Sequence, residues 1–257
     1  MDEAEFYFHP PRPGLPSVVL LPGLVAGRWM WHSTIEMLAA NGYGCLVLTE
    51  PLAIRHQHIA SLTHAVLGLM DRCDIDSAVL AGGSFGSLIA LECAIQSPQR
   101  IDLLVLSGAP ATITTKQLGI TFHGKLTRRI ARTIVDRLFF DAGCLSEQTL
   151  SMSLDIFSDL RRLINMGRLM KESDSYDYAS ALSKISASVL MVWGIQDQIS
   201  PCDVWERLAL NASNGAFFRL DRCGHTPMIE RPHAFNALFL AHLAALRVRN
   251  PLTQPSA

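Results

Sequence analysis

The sequence predicts an α/β domain in which a mostly parallel sheet is covered by helices on both faces. Two observations support this fold class. Short apolar runs end repeatedly in turn residues, and segments with apolar residues at helical spacing lie between those runs. The chain has 257 residues, of which 49% are hydrophobic, so it is long enough for one domain with a sizeable core.

The apolar runs are continuous rather than alternating, which is typical of strands that are buried on both faces of a parallel sheet. Six runs are predicted to be such strands: Ser17–Gly23, Gly44–Pro51, Ser77–Gly83, Asp102–Pro110, Ser188–Gly194 and Ala216–Gly224. An earlier and shorter run, EFYFH (Glu5–His9), is predicted to form a strand at the edge of the sheet.

Helical periodicity fills the connections between these strands. Five helices are predicted: Ser33–Ala40, Ile59–Met70, Leu88–Gln96, Asp203–Leu210 and Ala234–Leu246. Because strands and helices alternate, we expect right-handed crossovers that place helices on both sides of the sheet.

The alternation stops between residues 112 and 184, where the sequence predicts no strand. LTRRIARTIVDRLFF (Leu126–Phe140) and SLDIFSDLRRLI (Ser153–Ile164) repeat apolar residues at three- or four-residue spacing and are predicted to be amphipathic helices. Because the strand pattern then resumes, we interpret residues 112–184 as a helical cap. The core domain would consist of residues 1–111 and 185–257.

Composition excludes several classes of function. A formal net charge of −1 gives no electrostatic reason to expect nucleic acid or an anionic membrane as partner. No apolar run reaches the roughly 18 residues that a membrane span requires. The N-terminus MDEAEF carries acids where a secretion signal carries bases, so we expect a cytoplasmic protein. The six cysteines include no C-x-x-C pair, which predicts neither a metal site nor a disulfide framework.

A lone serine stands at a tight turn after the third of the six runs. Gly82–Gly86 reads GGSFG, which fits the pattern G-x-S-x-G, and it follows a predicted strand and precedes a predicted helix. In open α/β sheets, ligands bind at the carboxyl ends of the strands. Ser84 is therefore the candidate nucleophile.

Two further polar residues follow later strands. Asp197 lies in WGIQDQISP (Trp193–Pro201), and His225 lies in CGHTPMIERP (Cys223–Pro232). Either one alone is equally typical of an ordinary loop. A serine hydroxyl needs a base to become a nucleophile, however, and that base needs an anion to orient it. Ser84, Asp197 and His225 are thus the candidate catalytic residues.

With this chain order and this placement, the sequence resembles the α/β-hydrolase superfamily, in its serine-nucleophile branch with a helical cap. The resemblance extends from about Ser17 to Leu246. It implies the α/β-hydrolase fold, an oxyanion hole formed by the backbone N–H groups of Leu24 and Phe85, and no metal or organic cofactor. Pro22 stands where many members carry histidine, and LAIRHQHIASL (Leu52–Leu62) replaces a common glycine-rich loop.

The resemblance implies hydrolysis of a carboxylic ester or thioester through an acyl-enzyme. We expect a small-molecule substrate with a small to medium, largely apolar acyl group, because the cap is apolar. The candidate substrate-binding residues are Trp29, Phe122, Phe139 and Phe157. An apolar face left open on a cap helix would favour a homodimer, although the sequence does not show which face that is.

Other activities of the same superfamily stay open. Acyl transfer and lyase or cyclase chemistry reuse the same three residues, and a ligand receptor of this fold would look nearly identical. Hydrolases of carbon–carbon bonds often carry tryptophan directly after the histidine, where this chain has Thr226. Members with an aspartate nucleophile are disfavoured because Ser84 occupies the turn.

Overall fold

The computed structural model describes most of the predicted core and parts of the region between residues 111 and 159. The described residues are 6–110, 132–133, 136–141, 143, 145–147, 151–152, 154, 157 and 159–249.

Within that part of the chain, seven strands form one sheet in the order β1-β3-β2-β4-β5-β6-β7. The strands are β1 Phe6–His9, β2 Ser17–Leu21, β3 Gly44–Leu48, β4 Ala78–Gly83, β5 Ile101–Ser107, β6 Ser188–Gly194 and β7 Gly215–Leu220. β1 pairs antiparallel with β3 at the edge, and all other pairs are parallel. The predicted fold class and the predicted edge strand are confirmed.

The helices of the described residues pack on both faces of the sheet. They are α1 His32–Ala40, α2 Ile59–Arg72, α3 Phe85–Gln96, α4 Leu160–Ser173, α5 Tyr178–Ser183, α6 Cys202–Ala209, α7 Pro227–Glu230 and α8 Pro232–Arg249. Short 3-10 helices cover Arg28–Trp31, Leu52–Ile54 and Pro98–Arg100. All five helices that the periodicity predicted between the strands are present, with no end shifted by more than three residues.

Alternate strand residues point to opposite faces, and both faces are apolar. In β2, Val19 and Leu21 belong to the cluster that α2, α3 and α6 cover, whereas Val18 and Leu20 belong to the cluster that α1 and α8 cover. This two-sided burial explains why the strand sequences are continuous apolar runs.

The register of the central strands brings their carboxyl ends to one edge. Leu21 of β2 pairs with Gly82 of β4, and Gly83 pairs with Ser107 of β5. The loops that follow these strands therefore start next to one another, which places the residues after β2, β4 and β5 at a common site.

The two helices predicted in the 112–184 region need correction. The helix predicted over Ser153–Ile164 is interrupted at Asp159, whose backbone is extended (φ −103°, ψ 118°) and whose carboxylate accepts the Arg162 N–H at 2.9 Å. Asp159 is thus the N-cap of a new helix, α4. Its side chain accepts a backbone N–H that, in a continuous helix, would donate to a carbonyl of the preceding turn. The helix predicted through Phe140 also fails at its end, since the helical conformation stops at Arg137.

Candidate active site

Ser84 occupies a strained turn between β4 and α3. Its φ of +54° and ψ of −127° lie outside the helical and extended regions that non-glycine residues prefer, a conformation that costs about 1–3 kcal/mol. The Ser84 N–H donates to the Ser107 carbonyl at 2.8 Å, which ties the turn to the end of β5.

Gly86 allows α3 to start directly behind this turn. A Cβ at Gly86 would lie 2.2 Å from the carbonyl oxygen of Leu21, so only glycine lets the helix approach β2 this closely. The helix that begins at Phe85 thus directs its positive amino end at the space in front of Ser84. The G-x-S-x-G spacing has a steric reason that the structure makes explicit.

His225 lies between Ser84 and Asp197. Its Nε2 is 2.9 Å from Ser84 Oγ, and its Nδ1 is 3.1 Å and 3.0 Å from the two carboxylate oxygens of Asp197. An ionised carboxylate only accepts hydrogen bonds, so it favours the tautomer in which Nδ1 carries the proton. Nε2 is then the nitrogen that can accept the hydroxyl proton of Ser84.

Asp197 is held by the backbone that follows it. Its Oδ1 accepts the N–H groups of Ile199 at 2.8 Å and of Ser200 at 2.9 Å, and the residue is only 6% exposed. The carbonyl of Ser200 in turn accepts the indole N–H of Trp193 at 2.9 Å. The carboxylate is thereby oriented by a turn that is anchored in β6.

Gln196 joins the loop of Asp197 to the loop of His225. Its side-chain oxygen accepts the Cys223 N–H at 3.0 Å, and its amide nitrogen donates to Asp221 at 2.9 Å. Its backbone N–H donates to the Cys223 carbonyl at 3.0 Å. The sequence reasoning missed this residue, because nothing in the local pattern distinguishes a glutamine in a polar loop.

The two predicted oxyanion donors, Leu24 and Phe85, each lie one residue from a position that adjoins or carries Ser84: Leu24 follows Gly23, and Phe85 follows Ser84 itself. A Cβ at Gly23 would lie 3.4 Å from Ser84 Oγ, so the loop after β2 passes directly beside the serine. Among the described residues, neither the Leu24 amide nor the Phe85 amide has a hydrogen-bond acceptor. The assignment of these two amides as oxyanion donors stays a prediction.

The predicted substrate-binding residues are placed differently from one another. Phe139 and Phe157 are buried in the apolar cluster on the α2 and α3 side of the sheet, and Trp29 packs against the cluster on the α1 and α8 side. Phe139 also directly follows Leu138, whose carbonyl accepts the His225 N–H at 2.9 Å. Phe122 lies outside the described residues.

A further carboxylate, Glu230, lies close to the histidine loop and was also missed from the sequence. Burial raises the pKa of this carboxyl, while hydrogen bonds from the N–H groups of Phe140, Gly224, Asp141 and Thr226 lower it. The net direction of the pKa is upward, so the cost of desolvation outweighs the hydrogen bonds.

The described residues contain no group of three or more His, Cys, Asp or Glu side chains that could hold a metal ion. None of the described helices combines the length and the apolar composition needed to cross a membrane.

The sequence model of the Alpha/beta hydrolase family matches residues 18–238. The chain belongs to this family. The match begins at the second residue of β2 and includes β3 to β7 together with Ser84, Asp197 and His225.

Proteins that are similar to the chain in sequence or in structure include hydrolases of more than one kind. The chain is 27% identical to a 2-hydroxy-6-oxononadienedioate/2-hydroxy-6-oxononatrienedioate hydrolase of Paraburkholderia xenovorans, over 93% of this chain and 92% of the relative. A 2-hydroxy-6-oxo-6-phenylhexa-2,4-dienoate hydrolase of Rhodococcus has a similar structure (TM-score 0.75, 24% identity, 91% and 92% covered). An esterase of Exiguobacterium antarcticum is equally similar in structure (TM-score 0.75, 16% identity, 93% and 94% covered).

These comparisons support a hydrolase activity for the chain without fixing the bond it cleaves. The two structural neighbours are under 25% identical to the chain, so their likeness concerns the fold.

Proposed function

We propose that the chain is a serine hydrolase that cleaves carboxylic esters or thioesters through an acyl-enzyme on Ser84. The observation that carries the proposal is the continuous hydrogen-bonded line from Ser84 Oγ through the His225 ring to the Asp197 carboxylate. A serine at a strained turn, a buried imidazole and a buried carboxylate in this order are the groups that acyl transfer requires.

In the first half-reaction, Ser84 Oγ attacks the acyl carbon while its proton moves to His225 Nε2. The carbonyl oxygen becomes an oxyanion, which the Leu24 and Phe85 amides would hold; each such donor contributes about 3 kcal/mol to barrier lowering. The bond to the leaving group then breaks, and His225 returns the proton to the departing alcohol or thiol. Asp197 keeps the imidazolium oriented and stabilises its charge.

In the second half-reaction, water takes the place of the leaving group. His225 accepts a proton from water as its oxygen attacks the acyl carbon of the ester on Ser84. Collapse of the tetrahedral intermediate releases the carboxylic acid and gives the proton back to Ser84. Water is the one reactant besides the substrate in this cycle, and no redox equivalent is consumed.

For the substrate, we propose a small to medium acyl group of largely apolar character. Phe139 supports this choice, because it is buried and lies one residue from the Leu138 carbonyl that bonds the His225 backbone. Phe157 lies in the same apolar cluster and is proposed to share this site, whereas Trp29 packs against the cluster on the other face of the sheet. Phe122 is kept as a substrate-binding candidate on the sequence alone.

A specific observation also favours a second candidate. The dienedioate hydrolase relative is matched over nearly its whole length, so cleavage of the carbon–carbon bond of a 2-hydroxy-6-oxo-dienoate is the alternative reaction. Thr226 follows the histidine here, where carbon–carbon hydrolases often carry tryptophan, and this difference makes ester or thioester hydrolysis the leading candidate.

The first experiment measures labelling of the intact protein by a serine-directed fluorophosphonate. We expect one adduct on the wild type, none on Ser84→Ala, and a strongly slowed reaction for His225→Ala. Ser61→Ala is a matched control, because Ser61 Oγ also contacts a histidine nitrogen, His56 Nδ1 at 3.3 Å, but on the exposed surface of α2. Labelling of Ser84→Ala contradicts the proposal. A folded wild-type protein that forms no adduct contradicts it as well.

A substrate comparison then separates the two bonds. Initial rates would be measured for p-nitrophenyl esters of increasing acyl length and for acyl thioesters. The rate for a 2-hydroxy-6-oxo-dienoate would be measured from the decrease in the absorbance of that substrate. The leading proposal predicts that an ester or thioester gives the highest kcat/KM. A higher kcat/KM for the dienoate reverses the order of the two candidates, and labelling without turnover of any substrate favours the receptor alternative.

A further inference from the structure

Glu230 binds two separate parts of the chain with one carboxylate. It is the last residue of α7, five positions after His225, and its side chain points back toward the histidine loop. Oε1 accepts the Gly224 N–H at 2.9 Å, and Oε2 accepts the Phe140 N–H at 2.6 Å. Longer contacts of 3.4 Å join it to the Asp141 N–H and the Thr226 hydroxyl.

The two parts are the histidine loop and the segment Leu138–Asp141, and they are in direct contact. The His225 N–H donates to the Leu138 carbonyl at 2.9 Å. A Cβ at Gly224 would lie 2.7 Å from Phe140 N, so nothing larger than glycine fits between the segment and the loop. The carboxylate of Glu230 adds one hydrogen bond to each of the two parts.

Glu230 is half-buried, so its carboxylate loses part of its hydration, and the hydrogen bonds offset only part of that loss. The raised pKa of Glu230 shows that the protein would bind this group more cheaply in its neutral form. A neutral residue, however, has no two anionic oxygens that can accept backbone N–H groups from both sides at once. The charged carboxylate of Glu230 can therefore hold the histidine loop and the segment Leu138–Asp141 together, which a neutral side chain would do less well.

We propose that Glu230 is a positioning residue that fixes the His225 loop against the segment Leu138–Asp141. The proposal rests on the proposed function, in which His225 acts as the base. With Glu230 in place, the backbone on either side of His225 is immobilised, so the imidazole stays between Asp197 and Ser84.

Two substitutions of Glu230 and one control test the proposal. Glu230→Gln keeps one acceptor oxygen but directs an NH2 group at the second backbone N–H, and Glu230→Ala removes both acceptors. Glu206→Gln is the control, since Glu206 is an exposed carboxylate paired with Arg219 at 3.4 Å. Thermal unfolding of each variant establishes that the protein measured is folded.

The first readout is amide hydrogen exchange, which does not depend on any activity. We expect peptides that contain Phe140 and Gly224 to exchange about 10- to 100-fold faster in Glu230→Gln than in wild type, the effect of losing hydrogen bonds to a charged group. Glu230→Ala should exchange at least as fast. Peptides from the β2–β4 region should exchange at the wild-type rate, as should all peptides of the control.

The second readout is the chemistry of Ser84. Because the base is displaced while the binding site keeps its side chains, kcat and the fluorophosphonate labelling rate should fall about 10-fold or more, with KM changed little. Glu230→Gln should retain more activity than Glu230→Ala. A residue with a merely structural role would lower the unfolding temperature and leave kcat of the folded protein unchanged.

The outcomes distinguish this inference from the proposed function. Unchanged exchange in Glu230→Ala overturns the inference, and so does faster exchange with wild-type kcat and labelling. If wild-type protein is neither labelled nor active on any substrate, the proposed function itself fails. The inference then falls with it, even where the exchange results are as expected.

Discussion

Gly108 lies directly against His225. A Cβ at Gly108 would stand 2.6 Å from the His225 carbonyl oxygen and 3.1 Å from both Cε1 and Nδ1 of its ring. Gly108 follows the last residue of β5 and has a φ of +60°, a conformation that L side chains rarely adopt. The residue after β5 therefore packs directly against the imidazole of His225. The ring fits there because glycine has no side chain that would occupy its position.

Gly108→Ala should therefore impair the site more than it impairs the fold. The methyl group must displace the His225 ring or its carbonyl, and the left-handed backbone adds a cost of about 1–2 kcal/mol. We expect the fluorophosphonate labelling rate of Ser84 to fall at least about 10-fold, because the ring moves out of reach of the hydroxyl. Labelling kinetics on protein shown to be folded by circular dichroism measure this.

Gly68→Ala is the matched control for this substitution. Gly68 lies within α2, and a Cβ there would meet nothing within 4 Å. Alanine is favoured over glycine in a helix by about 0.5–1 kcal/mol, so this variant should unfold at a higher temperature and label at the wild-type rate. Equal labelling rates for Gly108→Ala and Gly68→Ala would show that the contact with His225 does not constrain the base.

Asp197→Asn tests the role of the buried carboxylate. The remaining side-chain oxygen can still accept the Ile199 and Ser200 N–H groups, so we expect the turn to survive. The new NH2 group would face His225 Nδ1 and favour the wrong tautomer, which in a serine triad lowers kcat about 10⁴-fold. Steady-state kinetics on the best ester substrate measure the change.

The control for that experiment is Asp203→Asn, which changes the net charge equally. Asp203 is exposed on α6 and pairs with Arg207 at 3.2 Å, away from the site. Its kcat should equal that of wild type. A kcat for Asp197→Asn within a factor of about ten of wild type would assign the orienting role to another group.

Much of this site could be predicted from the sequence because strand ends are easy to recognise. Ser84, Asp197 and His225 each follow a continuous apolar run, and parallel strands bring their carboxyl ends to one edge. The structure does bring these three side chains within hydrogen-bond distance. The apolar runs and the turn residues that end them are enough to predict that these three side chains lie at one edge of the sheet.

The supporting residues could not be predicted in the same way. Glu230 bonds the backbone of Phe140, 90 positions away in the sequence, and such a pairing leaves no periodic pattern. Gln196 likewise meets Cys223 across 27 positions. The break at Asp159 was missed because the apolar spacing of Leu154 to Ile164 continues through it, whereas the N-cap depends on one side-chain hydrogen bond.

Glu172 of α4 caps a helix of the core and is expected to stabilise it. Its Oε2 accepts the Ile59 N–H at 2.9 Å, at the start of α2, where backbone donors lack partners within the helix. Glu172→Ala should lower the free energy of unfolding by about 1 kcal/mol, the usual cost of losing a cap. Urea denaturation measures this loss.

Glu36→Ala is the comparison for Glu172→Ala. Glu36 is exposed on α1, and its one ion pair within the described part of the chain is with His32, 3.4 Å and one turn away. Its replacement should change the free energy of unfolding by less than about 0.5 kcal/mol. If the two variants lose the same stability, the contact from α4 to α2 contributes nothing beyond a surface charge.

The stability of the protein should depend on pH through Asp102 of β5. Burial raises the pKa of this carboxyl, and the hydrogen bond from the Ser77 hydroxyl at 3.0 Å lowers it by less. The folded state therefore binds the Asp102 proton more tightly than the unfolded state, whose carboxyl titrates near a pKa of about 4. As the pH rises from the unfolded-state pKa to the raised pKa of the folded state, the contribution of Asp102 to stability decreases. Above the raised pKa, the folded state carries the full cost of the half-buried charged carboxylate.

Asp102→Asn removes this penalty and keeps an oxygen that can accept the Ser77 hydroxyl. The variant should accordingly gain stability relative to wild type as the pH is raised from about 4 to about 7, with the smallest difference at the acid end. Urea denaturation of both proteins across this range measures the difference, and Asp203→Asn accounts for the change in net charge. A difference that stays constant with pH, or that shrinks as the pH rises, would mean that Asp102 is not destabilised by burial in the folded protein.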